Sequence, residues 1–387
     1  MFELPSPTGT MPVGTTTWRV TDTRLETFAG AGVNREVVVH AWYPSAAHTT
    51  SAQMAPYLRE GLPEVQVYQR LTKQPAGAFD TLGEVRTHSA MDAAPAAAPE
   101  RFPVLLFSAG YIAIPSTYTA LIEDLASHGY VVLHIVHPYE AAAAQLSGDR
   151  TVTMVNESGA FLQGIQDVLG EWGVEGDTMT RITTTTDEAE QVKLLRGYLG
   201  TLKATHAALQ RWVDDTKLVL DRVPSLDAGT PAGRLRARLD LDRIGALGHS
   251  MGGVASAQFC VDDRRCKAGL NLDGIPQYGT MIDKGMRQPF LMVYSGRAGR
   301  LGASDAIYRK ASKYYRVDVA DTNHIDFSDM ILWGGPLAGR PMFGKLPPIR
   351  AVEVTRTIVR EYFDQELRGV ASPLLSKKTT IPGVTVR

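Results

Sequence analysis

Little in this chain could hold a fold together except a hydrophobic core. Two cysteines occur in 387 residues, too few for a disulfide scaffold and too few to bind a structural zinc by themselves. No stretch approaches the roughly eighteen consecutive apolar residues of a membrane span. Like charges never form a long run, and the formal net charge is -1, so no field is built to recruit nucleic acid or an acidic surface. Met1 to Thr17 is interrupted by Pro5, Pro7, Gly9, Pro12 and Gly14 and has neither the basic nor the apolar region of a secretory signal. Internal repeats are absent, and no clustered His/Asp/Glu motif points to a metal hydrolase. What is there is ordinary for a soluble globular protein, 44% hydrophobic and 21% charged, and long enough to bury a large core.

The order of elements reads as a single α/β domain. Thr15 to Val20 and Arg35 to Tyr43 are rich in β-branched and aromatic residues around the Gly-rich link Ala29 to Asn34, as in an antiparallel hairpin. Residues 45–100 read as loop, low in complexity from Ala93 to Pro99. Pro103 to Phe107 and Val131 to Val136 are continuous apolar runs, the pattern of buried parallel strands. Between them Ser116 to Ser127 has helical spacing, with Ser116 as the expected N-cap and Gly129 as the stop. Residues 140–235 interrupt the rhythm and read as a helical insertion, clearest from Asp187 to Val223. Strands follow at Ile244 to Leu247, Ala268 to Leu272, Pro289 to Tyr294 and Tyr315 to Val319, with a helix from Met251 to Cys260 and an amphipathic one from Ile349 to Leu367. Alternating β and α elements around one sheet predict a mostly parallel, doubly wound α/β fold.

One motif carries chemistry. Gly248-His-Ser-Met-Gly252 matches G-x-S-x-G in the context that gives it meaning, an apolar strand before it and a helix after it. Ser250 then sits on a tight strand-to-helix turn at the C-terminal edge of the sheet. The glycines keep Cβ atoms out of that turn, and the helix start puts N–H groups and a positive dipole beside the hydroxyl. A serine hydroxyl needs a general base. In this arrangement the chain order is serine, acid, histidine, and His324 is the one histidine C-terminal to Ser250. His249 is expected to pack under the turn, and His134 and His137 to face opposite sides of a strand.

The acid has two candidates. Asp273 ends the strand before it, and Asp305 lies in the loop after the following strand; Asp273 is favoured. Asp326 is expected to cap the next helix. The oxyanion donors are the N–H of Met251 and, from the loop after Phe107, the N–H of Tyr111, with Gly110 allowing close approach. Cys260 and Cys266 form a local disulfide or remain two thiols near a helix end. The apolar stretch Met330 to Leu346, with Trp333 and Phe343, is expected to line an acyl or aromatic pocket, to touch a lipid or polymer surface, or to pack as a surface loop.

With these residues in place the chain resembles the platelet-activating-factor acetylhydrolases, the plasma type and its bacterial relatives. The likeness runs through Leu4 to Gly9, Val13 to Thr17, Arg35 to Pro44, Phe102 to Gly110, Leu125 to Tyr130, Gly248 to Gly253, Asn271-Leu-Asp-Gly274, His324 and Phe327 to Asp329. The resemblance implies an α/β-hydrolase fold, with Asp273 as the acid and Tyr111 and Met251 at the oxyanion hole. It implies cleavage of short acyl chains from small-molecule or lipid esters without cofactor or metal, in a secreted or periplasmic protein. Ala109 stands where many relatives carry His or Pro, a departure at the pocket's edge. Rival readings are a broad esterase or polyester hydrolase, an acyltransferase, and a non-catalytic binding protein on the same scaffold.

Overall fold

Side chains branched at Cβ pack well on a pleated, half-buried surface, and the first long elements are built of them. In the computed structural model, which describes residues 3–46, 54–173, 175–277, 280–297, 299–334, 337 and 339–387, β1 (Val13–Leu25) pairs antiparallel with β2 (Asn34–Pro44), Val20 opposite Val37. β2 is buried from Arg35 onward.

Of the expected loop, 47–53 lie outside the described residues, and residues 54–100 are more ordered than their composition suggests. They hold β3 (Met54–Pro56), α1 (Pro63–Leu71) and β4 (Arg86–Met91). Helix α1 is nine residues long and starts at a proline, where the missing N–H is of no consequence. β4 has little apolar alternation; its parallel pairing with β1, Val13 opposite Ser89, holds it in place. Neither feature leaves a local pattern. Strand β5 (Phe102–Ser108), helix α2 (Thr119–Ser127) and β6 (Val131–Val136) form the expected crossover, β5 parallel to β6. Ser116 is not the cap of α2. The cap position is Tyr118, and Ser116 lies in a preceding 3-10 turn, where its Oγ donates to Glu64 at 2.8 Å. The expected insertion opens with a hairpin, β7 (Ala143–Leu146) and β8 (Arg150–Thr153), whose Leu146 and Val152 pack with Val38 and Val136.

The helices of the insertion are α3 (Gln163–Trp172), α4 (Glu175–Thr184), α5 (Glu188–Leu199), α6 (Lys203–Arg222) and α7 (Pro231–Arg236). Asp187 caps α5 by accepting from Glu190 N–H, the arrangement that favours Asp at that position. The chain continues through β9 (Leu239–His249), α8 (Met251–Asp262), β10 (Cys266–Leu272), α9 (Thr280–Lys284), β11 (Met286–Ser295), α10 (Asp305–Tyr308), β12 (Ala311–Val319), α11 (Pro348–Arg368) and β13 (Val384–Val386).

Contacts gather the chain into two compact units. The first comprises Met1–Leu162, Asp215–Asp242 and Ser328–Ala338, and its strands run in the order β3-β4-β1-β2-β6-β5. The second comprises Gln163–Asp214, Arg243–Phe327 and Gly339–Arg387. Its strands run β9-β10-β11-β12-β13, parallel as far as β12. Parallel strands end at one edge, so the turns after β9, β10, β11 and β12 emerge together. Helix α11 buries Val352, Ile358, Val359, Tyr362 and Phe363, and Tyr362 donates to the Pro289 carbonyl. Cys260 at the end of α8 and Cys266 at the start of β10 are joined by a disulfide, Cα to Cα 5.0 Å. Among the described residues no helix is long and apolar enough to cross a membrane.

Candidate active site

β9 turns into α8 at Ser250, whose backbone has φ 55° and ψ -128°. A non-glycine residue with positive φ is uncommon and costs about 1–3 kcal/mol unless its surroundings over-determine it. They do so here. Ser250 N–H donates to Leu272 O at 2.8 Å, and Ser250 O accepts from Gly253 N–H and Val254 N–H. Two glycines make the turn possible. A Cβ on Gly253 would lie 2.1 Å from Asn271 Oδ1, and one on Gly274 would lie 2.2 Å from Ser250 O. The serine is left partly exposed. Met251, the first helical residue, has an N–H with no acceptor inside the helix by virtue of its position.

The next strand end carries Asp273, also at positive φ, 54°. Its turn is tied by Asn271: Oδ1 accepts from Gly274 N–H at 2.7 Å, and Nδ2 donates to Gly274 O and to Tyr308 Oη. That tie accounts for the Asn-Leu-Asp-Gly segment. The Asp273 carboxylate is buried and fully engaged. Oδ1 accepts from Ser295 N–H at 2.8 Å, and Oδ2 accepts from Ser295 Oγ at 2.9 Å and from His324 Nδ1 at 2.7 Å. Arg297 Nη2 stands 3.4 Å from Oδ2. Burial pushes this carboxyl upward, but the bond and charge of His324, Arg297 and Ser295 N–H outweigh it and hold it below the usual carboxylate range.

An ionised carboxylate only accepts, so His324 Nδ1 carries the hydrogen, and in a neutral ring the lone pair then falls on Nε2, the tautomer a general base needs. His324 follows β12 and opens a 3-10 turn, His324–Phe327. Its carbonyl accepts from His249 Nε2 at 2.9 Å, and the two rings lie 4.4 Å apart. Burial drives the His249 pKa well down, aided by His324 and Arg297, which keeps that ring neutral with Nε2 as its donor. His249, adjacent to Ser250 in sequence, therefore anchors the segment that carries His324. The Ser250 hydroxyl and the His324 ring are not hydrogen-bonded to each other among the described contacts. Such bonds are often long before substrate arrives.

Asp305 is engaged elsewhere. Its Oδ1 accepts from Tyr294 Oη at 3.0 Å and Tyr314 Oη at 2.6 Å, and its Oδ2 accepts from Arg316 Nη1 at 2.7 Å. It is the centre of a structural cluster and not the partner of His324. Asp326 caps no following helix either: the cap of the 3-10 turn Asp329–Leu332 is Ser328, while Asp326 Oδ2 accepts from Asn323 N–H and Gly344 N–H, both at 2.8 Å. The two loop amides occupy this buried carboxylate, and Ser328 holds the cap position without a side-chain cap bond.

The remaining candidates fall as follows. Tyr111 is buried in the first unit, in the loop after β5. Trp333 belongs to the same unit; its Nε1 donates to Tyr57 Oη at 3.1 Å, and its ring lies 5.8 Å from Phe79. Phe343 belongs to the second unit and is half-buried, its N–H donating to Arg340 O. Gly335, Pro336 and Ala338 of the expected apolar stretch lie outside the described residues. Sequence reasoning missed Arg297, Ser295 and Asn271, the groups that fix the aspartate; only the Asn-x-Asp-Gly turn signal pointed to one of them.

A strained serine between strand and helix, with an aspartate–histidine pair from strand ends at the same sheet edge, has the layout of the α/β hydrolases. The fold agrees: the structure matches a ferulic acid esterase from Streptomyces cinnamoneus with a TM-score of 0.75 at 26% identity, over 100% of this chain and 99% of that one. Residues 2–357 match the family described as platelet-activating factor acetylhydrolase, isoform II, and the chain belongs to that family. Among curated relatives, the platelet-activating factor acetylhydrolase of Cavia porcellus is 23% identical over 62% of this chain and 51% of its own length. A probable 1-alkyl-2-acetylglycerophosphocholine esterase of Arthroderma benhamiae is 24% identical over 70% of this chain and 62% of its own. The chain thus spans about half the length of the first of these relatives.

Proposed function

We propose that the chain is a serine carboxylic-ester hydrolase that cleaves short-chain acyl esters through an acyl-enzyme. The observation that carries this reading is the Asp273–His324 bond of 2.7 Å next to a serine held at φ 55°. Ser250 Oγ attacks the ester carbonyl carbon while His324 Nε2 takes its proton. Asp273 holds the ring in that tautomer and stabilises the imidazolium. The oxyanion is assigned to the N–H groups of Met251 and Tyr111; each such donor is worth about 3 kcal/mol of barrier. Collapse expels the alcohol, which takes the proton from His324. Water then repeats the sequence and releases the acid. No cofactor or metal is required by these steps.

Names borne by the relatives support a small or lipid ester as substrate, and the ferulic acid esterase likeness supports an aromatic acid as a second reading. Trp333 and Phe343 are assigned to the acyl or aromatic pocket, or to contact with a lipid or polymer surface. Hydrolysis of p-nitrophenyl esters from two to twelve acyl carbons, with a feruloyl ester alongside, tests the reading. Activity on the short esters that vanishes in Ser250→Ala supports it. Undiminished activity in that variant removes Ser250 as nucleophile and the site with it.

A further inference from the structure

The loop after β5 contains a conformation that its sequence does not favour. Ile112 has φ 56°, and for a β-branched residue positive φ is a genuine outlier. It is the third residue of a turn closed by Ala113 N–H donating to Gly110 O at 3.2 Å, a place that turns with a left-handed third residue give to glycine. Strain of this kind persists only where neighbouring groups enforce it. Two neighbours do. Ile112 N–H donates to Glu140 O at 2.8 Å, and Tyr68 Oη donates to Ile112 O at 2.8 Å. Gly110 N–H is fixed in turn by Tyr118 Oη at 3.3 Å.

Followed in order, these bonds form one chain. The Tyr68 hydroxyl donates to the carbonyl of the Ile112–Ala113 peptide. The N–H of that peptide donates to the carbonyl of the Gly110–Tyr111 peptide. The N–H of this last peptide is that of Tyr111, and a planar trans peptide points it opposite to the Gly110 carbonyl. Hydrogen bonds in series polarise one another. A donor at the far carbonyl therefore both fixes the direction of Tyr111 N–H and strengthens it as a donor.

We propose that Tyr68 is a positioning residue for ester hydrolysis, aiming and polarising the Tyr111 N–H through two intervening peptides. The inference rests on the reading of Tyr111 as an oxyanion donor. It gives α1, an element without catalytic side chains, a part in the reaction, and it explains why an isoleucine is tolerated at a position suited to glycine.

The test is Tyr68→Phe, which removes one hydroxyl and keeps the ring. The expected result is a kcat about tenfold lower with KM unchanged, since weakening one oxyanion donor acts in the transition state alone. Affinity for a short-chain trifluoromethyl ketone, whose adduct with the serine places an oxyanion at the same point, should fall by the same factor. In an Ile112→Gly background, where the left-handed turn no longer needs restraint, the Tyr68→Phe effect should shrink to less than about threefold. An unchanged kcat, or a lower kcat with unchanged ketone affinity, overturns the inference. Ser250→Ala assayed in parallel separates the two possible failures. If that variant is silent while Tyr68→Phe is unimpaired, the Tyr68 inference alone falls; if Ser250→Ala stays active, the reading beneath it falls.

Discussion

Two aspartate–histidine hydrogen bonds among the described residues, one in each unit, are nearly the same as pairs. In the second unit Asp273 and His324 meet at 2.7 Å; in the first, Asp215 and His137 meet at 2.8 Å. A serine completes the likeness in the first unit, since Ser108 Oγ lies 3.4 Å from His137 Nε2. The composition of a triad is therefore present there as well. What differs is access and strain. His137 is 3% exposed and Ser108 ends a regular strand, whereas His324 is 22% exposed and the serine of its unit sits on a strained turn. Asp215 is also held by Arg35, Nε to Oδ1 at 2.8 Å and Nη2 to Oδ2 at 2.7 Å, with Arg24 on Oδ1. One histidine is partly open to solvent, and the other belongs to a buried ionic anchor between α6 and β2. Residue types alone do not separate a site from a brace; the backbone under the serine does.

The largest expected effect breaks the comparison at the nucleophile. Ser250→Ala should lower kcat by roughly 10⁶-fold, measured on p-nitrophenyl acetate with active-site-free controls. Next is a matched pair of substitutions. Asp273→Asn should lower kcat by about 10⁴-fold, because the amide favours the wrong tautomer of His324. Asp215→Asn should leave kcat per folded molecule within about threefold but cost about 3–5 kcal/mol of stability, because the Arg35 charge loses a buried partner. Denaturant melts together with titrated active sites distinguish the two. If Asp215→Asn proved as inactive as Asp273→Asn at full stability, the brace would have to be counted as catalytic machinery.

A smaller effect follows from pH. Burial pushes the Asp215 carboxyl up, but the charge and bonds of Arg35, with those of His137, bring it far below the usual range. A depressed carboxyl contributes stability that is present above its unfolded pKa of about 4 and is lost as pH falls through the folded value. The gap in melting temperature between the wild type and Asp215→Asn should accordingly be widest above about pH 4 and narrow below it. A gap independent of pH would mean that the substitution acts through packing and not through the charge.

How much of this was legible beforehand differs between the two regions for the same reason. Ser250 announced itself because its signal is local: a strand, a G-x-S-x-G turn and a helix in succession. His324 was isolated by chain order. Asp273 against Asp305 was open from position alone, because both follow strands at the same edge; only the tyrosines and arginine around Asp305 exclude it, and they arrive from β11 and β12. The Arg35–Asp215–His137 anchor joins residues far apart in the chain, so no period or motif registers it. Tyr68 and Glu64 went unread because their short helix lay in a stretch rich in Ala and Pro, and their partners Ile112 and Ser116 come from another loop.

The smallest predicted effect concerns that same helix and runs opposite in sign to Asp215. Burial raises the Glu64 carboxyl to about 8, helped by Glu60 and opposed by Glu60 N–H, Ser116 Oγ and Ser116 N–H. Burial likewise raises Glu60 to about 7, against the Gln145 N–H bond and the charges of Arg19 and Arg59. Glu60 also bonds His40 Nε2 at 2.5 Å, a ring that burial keeps neutral. A carboxyl whose folded pKa lies above its unfolded one binds more protons in the native state. The stability it contributes is complete below about pH 4 and is lost as pH rises through the folded value. The melting temperature should therefore decline between about pH 5 and pH 8 by a few degrees, even though the acid-sensitive pairs are secure there. Glu64→Gln keeps the size of the side chain and removes the titration, but it sets its amide NH2 against the N–H of Ser116 or Glu60, so its profile over that window should lie lower and be flatter than the wild type's. A slope unaltered by the substitution would place the alkaline sensitivity elsewhere and leave Glu64 as a carboxylate compensated by its hydrogen bonds.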